Sequence, residues 1–206
     1  MLLSAFMAAA KSLDGLCRAG DFYYNGGRLH PRQIERLKEL APYFSEALQR
    51  DVLVPVATQT FDVSLRVLDY TCTNYAKKTR VLTTGSPPVH VFSLYKDWLR
   101  HYRRKTFDPF RRRERIYFRS PCDGTVLDTT VAQLNFLRWA LTYDILAYVR
   151  RHAAVIERDM LATLGESKRR RQAMEAQGLK RRRAELSRAP TMRCIVYSVA
   201  QHVTFE

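Results

Sequence analysis

The basic side chains of this sequence are its best candidates for chemistry, and they gather in two clusters. In the first, residues 100–115, arginine and lysine are interleaved with Tyr102, Phe107 and Phe110. Arginine offers paired N–H donors that fit phosphate, and aromatic rings can stack on bases. The cluster as a whole predicts contact with a polyanion, although each aromatic residue taken alone is better interpreted as part of the core. Its basic members are Arg100, Arg103, Arg104, Lys105, Arg111, Arg112, Arg113 and Arg115.

The second cluster consists of two basic tetrads, separated by a short and nearly neutral spacer. An exposed stretch of this kind suits a nucleic-acid-binding arm and a nuclear-import signal equally well, because both need the same positive charge. A solvated, partly frayed helix is the remaining interpretation. The tetrads are Lys168, Arg169, Arg170 and Arg171, followed by Lys180, Arg181, Arg182 and Arg183.

Enzymatic signatures are missing from the sequence. It contains no glycine loop that ends in Lys-Ser/Thr, no GxSxG motif and no HExxH motif. His90, His101 and His152 have no carboxylate or thiol beside them in a recognised catalytic arrangement. The sequence therefore predicts a protein that is not an enzyme and that has no cofactor and no metal.

The four cysteines lie far apart in the chain and form no CxxC pair. A zinc site usually draws its ligands from close pairs, and a chain with an ample apolar core does not need a disulfide framework. Free buried thiols in a reducing compartment are therefore expected. The residues concerned are Cys17, Cys72, Cys122 and Cys194.

The charge balance gives the broadest indication of function. The chain has 206 residues, with 35 Lys and Arg against 20 acids, which gives a net charge of +15. Such a polycation attracts phosphate at long range, so we expect a nucleic-acid partner, DNA in preference to RNA. The alternative is a structural component of a particle or complex, whose basic surface contacts acidic protein neighbours. The oligomeric state stays open.

The N-terminal third is predicted to be helical. The apolar run at residues 1–10 is shorter than the roughly 20 residues of a membrane span, so a short packed helix in a soluble, intracellular protein is expected. Residues 20–30 are typical of a turn, and Pro31 should open a helix that Pro42 kinks or breaks. Residues 52–56 are interpreted as a short edge strand or a linker.

Further along the chain, helices are predicted over residues 62–78 and 92–105, with a small hairpin formed by residues 116–118 and 125–127. Thr130 begins a capping-box pattern, and Asp144 should interrupt the helical run that follows. That run could resemble a helix–turn–helix motif, but its second helix is too apolar to contact base edges, so core packing is favoured.

These elements predict an α+β, mainly helical fold: a helical core with a small antiparallel β element and a C-terminal strand. The alternating pattern of residues 194–205 predicts that strand, which should return to pair with the hairpin. The expected organisation is an N-terminal helical region (1–60), a helical core with the hairpin (61–165), a basic arm (166–190) and the returning strand (191–206).

Several stretches resemble an uncharacterised protein family of large nucleocytoplasmic DNA viruses, the giant viruses. They are residues 68–78, residues 107–110 leading into 113–116, residues 129–136, and the closing basic run with residues 184–187.

This resemblance covers roughly residues 60–206, and Tyr70 and Leu137 depart from the larger aromatic residues that it implies there. The resemblance implies a viral origin and a role in the virion interior or the virus factory, and it supplies no mechanism. The basic tetrads, as an import signal, add the host nucleus as an expected location. Packaging, organisation or regulation of a genome, through phosphate contacts with little base reading, is the function that we expect from the basic charge.

Overall fold

The computed structural model describes residues 13–84 and 87–176. Helices make up most of this part and a small antiparallel sheet accompanies them, which confirms the predicted mainly helical α+β fold. The strands are β1 (Cys17–Ala19), β2 (Phe22–Tyr24), β3 (Arg115–Arg119) and β4 (Val126–Thr130). The helices are α1 (Pro31–Leu40), α2 (Glu46–Leu48), α3 (Val54–Thr58), α4 (Leu65–Tyr70), α5 (Ala76–Thr79), α6 (Val91–Thr106), α7 (Val131–Thr142) and α8 (Ile145–Ala176).

The four strands form one sheet in the order β1-β2-β3-β4, and all neighbours are antiparallel. The hairpin of β3 and β4 is the one that the sequence predicts. The β1–β2 hairpin is not predicted, because strands of three residues offer too few alternating positions for a pattern to emerge. It joins the sheet through β3, where Phe22 lies opposite Phe118 with their ring centroids 5.9 Å apart.

Helix α1 begins at Pro31, as predicted, where the missing N–H costs nothing. The His30 side chain accepts a hydrogen bond from the Arg32 N–H, and the His30 N–H donates to the Gln33 side chain in return. The helix ends at Leu40, and a 3₁₀ turn that contains Pro42 follows it. The expected break at Pro42 is therefore confirmed.

The prediction of an edge strand or linker at residues 52–56 is wrong, since this segment is helical. A π-helical turn (Gln49–Leu53) leads directly into α3. Pro55 lies in the first turn of α3, where a proline is tolerated. Val52 and Leu53 are buried, and this packing overrides the β preference of the valines.

The core is rich in aromatic side chains where α6 packs against α7. Phe107 and Trp139 are fully buried and meet edge to face, with ring centroids 5.5 Å apart. Helix α7 is buried on nearly every side, which explains its continuous apolar pattern. The predicted cap is present, because the Thr130 hydroxyl accepts a hydrogen bond of 3.2 Å from the Gln133 N–H.

Asp144 separates α7 from α8, as predicted, and adopts a left-handed backbone conformation with φ 54°. The start of α8 packs into the core, since Ile145, Leu146 and Val149 are buried. This burial confirms core packing over the helix–turn–helix interpretation. Among the described residues, no helix combines the length and apolar content that a membrane span requires.

The chain divides into two compact units, Met1–Leu164 and Gly165–Glu206. The first contains the sheet and the helices up to the middle of α8. The described part of the second is the last stretch of α8, whose side chains are almost all exposed. The predicted N-terminal helix at residues 1–10 and the predicted strand at residues 194–205 lie outside the described residues.

Candidate nucleic-acid interface

A groove of about 730 Å³ lies where the first turns of α1 face the end of α6. We refer to it as the α1–α6 groove. Basic side chains dominate its lining, and its acids are Glu35 and Glu39. The basic and imidazole side chains are His30, Arg32, Arg36, His101, Arg103, Arg104 and Lys105.

Two side-chain amides hold the end of α6 in place. Gln33 of α1 donates from Nε2 to the Lys105 carbonyl at 3.2 Å, and Asn135 of α7 donates from Nδ2 to the Thr106 carbonyl at 2.8 Å. The last carbonyls of a helix have no partner within the helix, so these bonds satisfy them and fix α6 against both neighbours. The wall of the groove at the end of α6 is therefore anchored to α1 and α7.

Arg36 forms part of the groove lining, and its side chain is only 10% exposed. Its Nη2 donates to Asn135 Oδ1 at 2.6 Å, its Nη1 pairs with Glu39, and its guanidinium lies 4.5 Å from the centroid of the Tyr102 ring. Among the described residues, its Nε has no hydrogen-bond partner. Arg36 thus fixes a positive charge in the groove and neutralises one of the two acids there.

Arg103 interrupts α6 with φ 57° and ψ 169°. A residue with a side chain rarely adopts this conformation, which costs about 1–3 kcal/mol and persists only where the surroundings enforce it. Arg103, Arg104 and Lys105 are all exposed, and none of them forms an ion pair within the described part of the chain. These three predicted site residues are the ones that the structure brings together in the groove.

Three other arginines of the first cluster have acidic neighbours. Arg100 pairs with Asp97 at 3.0 Å, and Arg115 pairs with Asp128 at 3.3 Å. Arg111 is more tightly held, since both of its nitrogens Nε and Nη2 donate to the Glu114 carboxylate at 2.6–2.9 Å. Its side chain is 20% exposed, so Arg111 is part of the local structure and differs from its two neighbours.

Arg112 and Arg113 are exposed, and neither forms an ion pair with another described residue. Arg112 lines a separate cleft of about 580 Å³, between α3 and β4. The Arg112 carbonyl accepts a hydrogen bond of 3.1 Å from Arg115 Nε. These two arginines remain available for a ligand, outside the α1–α6 groove.

The first tetrad of the second cluster lies on the last turns of α8, and its four side chains are exposed. Arg171 approaches Glu175 at 3.7 Å, a weak surface pair. The second tetrad (residues 180–183) lies outside the described residues.

The sequence predicts only one wall of the groove. His30, Arg32 and Arg36 of the opposite wall are not among the predicted site residues. The spacing of Arg32 and Arg36 places them on one helix face, so the sequence does indicate a basic surface on this helix. Nothing local in the sequence indicates that this face meets the end of α6.

A smaller depression of about 370 Å³ lies beside Asp69, and we call it the Asp69 depression. Burial raises the pKa of Asp69 to about 6, the negative charge of Asp108 adds to this effect, and Arg104 opposes it. Arg104 is therefore electrostatically linked to Asp69 while it lines the α1–α6 groove. The depression is lined by Arg66, Asp69, Tyr70, Asn74, Phe110, Met160 and Leu164.

The cysteines differ in their surroundings. Cys72 is buried, and burial raises the pKa of its thiol well above the ordinary value. Cys17 and Cys122 are free but exposed, so the expectation of buried thiols is wrong for these two. Both lie at strand ends or turns of the sheet, where neighbouring side chains do not cover them. Across the described residues, no group of three or more His, Cys, Asp or Glu side chains could hold a metal ion.

Comparison with known proteins identifies relatives but no function. The chain is 28% identical over 163 residues to a protein of Acanthamoeba polyphaga mimivirus, named uncharacterized protein L507. The match covers 74% of this chain and 63% of that relative, so the chain spans less than two thirds of the relative's length. No solved structure matches the chain significantly. The relative is a giant-virus protein, which supports the viral origin that the resemblance implies.

The family match begins further upstream than the resemblance in residues 60–206 implies, and it includes α1. Apart from His30, both walls of the α1–α6 groove therefore lie within the matched region. Over residues 31–202, the chain belongs to a family of unknown function, DUF7197.

Proposed function

We propose that this protein is a non-enzymatic nucleic-acid-binding protein that contacts phosphates largely without sequence specificity. The observation that carries the proposal is the α1–α6 groove, whose lining contains five arginine and lysine side chains and two histidines but only two acids. Arg36 neutralises Glu39, one of those acids. The lining of the groove therefore keeps a net positive charge, and this positive surface is concave.

Concave surfaces of one charge concentrate counter-ions, because low-dielectric walls focus the field. Phosphates that enter such a groove release the cations condensed around the nucleic acid, and this release drives binding. Three of the groove bases follow one another in the chain, from Arg103 to Lys105. They can contact successive phosphates without reading any base, which agrees with binding that ignores sequence.

The biological setting is inferred from the relatives. A basic protein of a giant-virus family suits genome packaging, organisation or regulation, in the virion interior, the virus factory or the host nucleus. DNA is the preferred partner in this proposal.

The proposal is tested by titrating unrelated DNA duplexes with the purified full-length protein over a series of salt concentrations. We expect micromolar binding that falls steeply with salt. A variant with Arg32, Arg103, Arg104 and Lys105 all changed to Gln should bind more weakly on every duplex. Its log–log salt slope should be shallower by about 0.9 for each phosphate that the variant no longer neutralises.

A control variant carries the same charge change outside the groove, with Arg28, Arg119, Arg151 and Arg158 changed to Gln. These side chains are also exposed. Equal losses of affinity in the two variants would mean that net charge alone drives binding and that the groove is not the site. Absence of binding to DNA or RNA at low salt would overturn the proposal and favour an acidic protein partner.

A further inference from the structure

Two of the large apolar side chains that remain exposed meet at the Asp69 depression. Phe110 is 49% exposed and Leu164 is 43% exposed, and both line it together with Met160. A single exposed apolar residue needs no explanation. An exposed aromatic ring that lines a depression together with aliphatic side chains, however, offers a surface on which a flat ligand can stack.

Polar groups line the same depression. The Asp69 carboxylate accepts hydrogen bonds, and the exposed Arg66 guanidinium donates them and forms no ion pair with another described residue. Asn74 donates from Nδ2 to Thr73 Oγ1 at 2.9 Å. A ligand would therefore meet a hydrogen-bond acceptor and a cationic donor beside the Phe110 ring.

The segment that carries Phe110 is fixed to the core. The Phe110 N–H donates to Asp108 Oδ1 at 2.8 Å, and the Asp108 N–H donates to the Ala132 carbonyl at 3.3 Å. Gln133 Nε2 donates to the Pro109 carbonyl at 3.0 Å. The ring is thus presented by an ordered segment, so less conformational entropy is lost when a ligand stacks on it.

Phe110 of the depression also comes soon after the α6 residues of the α1–α6 groove in the chain. The chain runs from Thr106, which lines the groove, to Phe110 in four residues. Arg104 lines the groove and lowers the pKa of Asp69. Four residues span at most about 14 Å, so a strand whose phosphates occupy the groove can place a base at the depression.

We propose that the Asp69 depression binds one unpaired guanine of a single-stranded nucleic acid whose phosphates lie in the α1–α6 groove, an inference that rests on the proposed function. Phe110 stacks on the base. The Asp69 carboxylate accepts hydrogen bonds from N1–H and the 2-amino group, and Arg66 donates to O6. Guanine is the base whose Watson–Crick edge offers two adjacent donors beside an acceptor. That edge is accessible only in a single strand.

The test measures fluorescence anisotropy of the full-length protein with three single-stranded DNA probes of equal length. One is a thymine homopolymer, one carries a central guanine, and one carries inosine, which lacks the 2-amino group. We expect the guanine probe to bind about 10-fold more tightly than the homopolymer, with inosine in between. Asp69→Asn should remove this preference, because an amide cannot accept both hydrogen bonds.

Phe110→Ala should weaken binding of the guanine probe by about 10-fold or more, because the base can no longer stack on the ring. Phe110→Leu should behave in the same way, since it keeps an apolar side chain but removes the ring, and it guards against a folding defect in the alanine variant. Leu161→Ala is the matched control, because Leu161 is 65% exposed and does not line the depression.

The two proposals can fail separately. If all three probes bind equally well and Phe110→Ala has no effect, the guanine site is disproved while phosphate binding stands. If neither the probes nor a duplex bind at low salt, the proposed function itself fails. Binding of duplex but of no single strand would also overturn the guanine site.

Discussion

At Asp69, the surroundings oppose the negative charge that a carboxyl group carries in water. Burial raises its pKa to about 6, Asp108 contributes in the same direction, and Arg104 partly compensates. Tyr95 lies in the same neighbourhood, and its pKa is raised by burial and by Asp69. A half-buried carboxyl group of this kind costs stability when it ionises, and a functional site is one reason for a protein to keep it.

The sign of the pH effect follows from the two pKa values. The ordinary pKa of Asp69 is 3.8, and in the folded protein it is about 6. Between these values the folded state holds a proton that the unfolded chain has released, so stability falls as the pH rises from about 4 to about 6. We expect Asp69→Asn to raise the melting temperature at pH 7 and to flatten its pH dependence over this range, measured by circular dichroism.

Asp123→Asn is the control for that experiment. Hydrogen bonds from Thr125 and Ser120 lower the pKa of Asp123, so its contribution has the opposite sign and is lost as the pH falls. Parallel melting profiles for the wild-type protein and Asp69→Asn would contradict the account of Asp69.

Among the helices, α1, α6 and α7 are linked by the fully buried amide of Asn135, in addition to the Gln33 amide that joins α1 to α6. Asn135 accepts a hydrogen bond from Arg36 through Oδ1 and donates to the Thr106 carbonyl through Nδ2. It therefore links both walls of the α1–α6 groove to the central helix.

Asn135→Leu should lower the free energy of unfolding by about 3 kcal/mol, because Arg36 Nη2 and the Thr106 carbonyl both lose their hydrogen-bond partner, while Arg36 keeps its ion pair with Glu39. Urea unfolding measures this change. Adding Arg36→Met should restore part of the stability, since the unsatisfied Nη2 donor is then removed. If the two changes are additive in a double-mutant cycle, the residues do not form one network.

The elements that local sequence determines are the ones that could be predicted. The Thr130 cap, the break at Asp144 and the hairpin of β3 and β4 each depend on neighbours in the chain. The β1–β2 hairpin and the helical state of residues 52–56 depend on burial against distant segments. The groove follows the same rule: Arg103, Arg104 and Lys105 are recognisable as a cluster, whereas their proximity to Arg32 exists only in the folded protein.

Across the whole molecule, which has a net charge of +15, some basic residues have acidic partners and others do not. Arg100, Arg111 and Arg115 have acidic partners. The groove bases and the tetrad on α8 are largely without them. Exposed charges without partners can release counter-ions when a polyanion binds.

Changing Lys168, Arg169, Arg170 and Arg171 together to Gln should weaken binding equally on all DNA sequences and make the salt slope shallower. The melting temperature should stay the same, because all four side chains are exposed. Anisotropy titrations over a salt series and a thermal melt measure the two effects. An unchanged salt slope would show that this tetrad does not contact nucleic acid and would leave an import signal as its better interpretation.

The pairing of β2 with β3 also has a consequence for how the protein is made. Phe22 and its partner Phe118 are separated by almost half of the chain, so the ribosome releases the β1–β2 hairpin long before β3 exists. Until then, one edge of β2 lacks hydrogen-bond partners and can pair with other nascent chains. Closing so long a loop is also slow. We therefore expect the N-terminal hairpin to join the sheet late in biosynthesis, and chaperone demand to be highest before residue 119 has emerged.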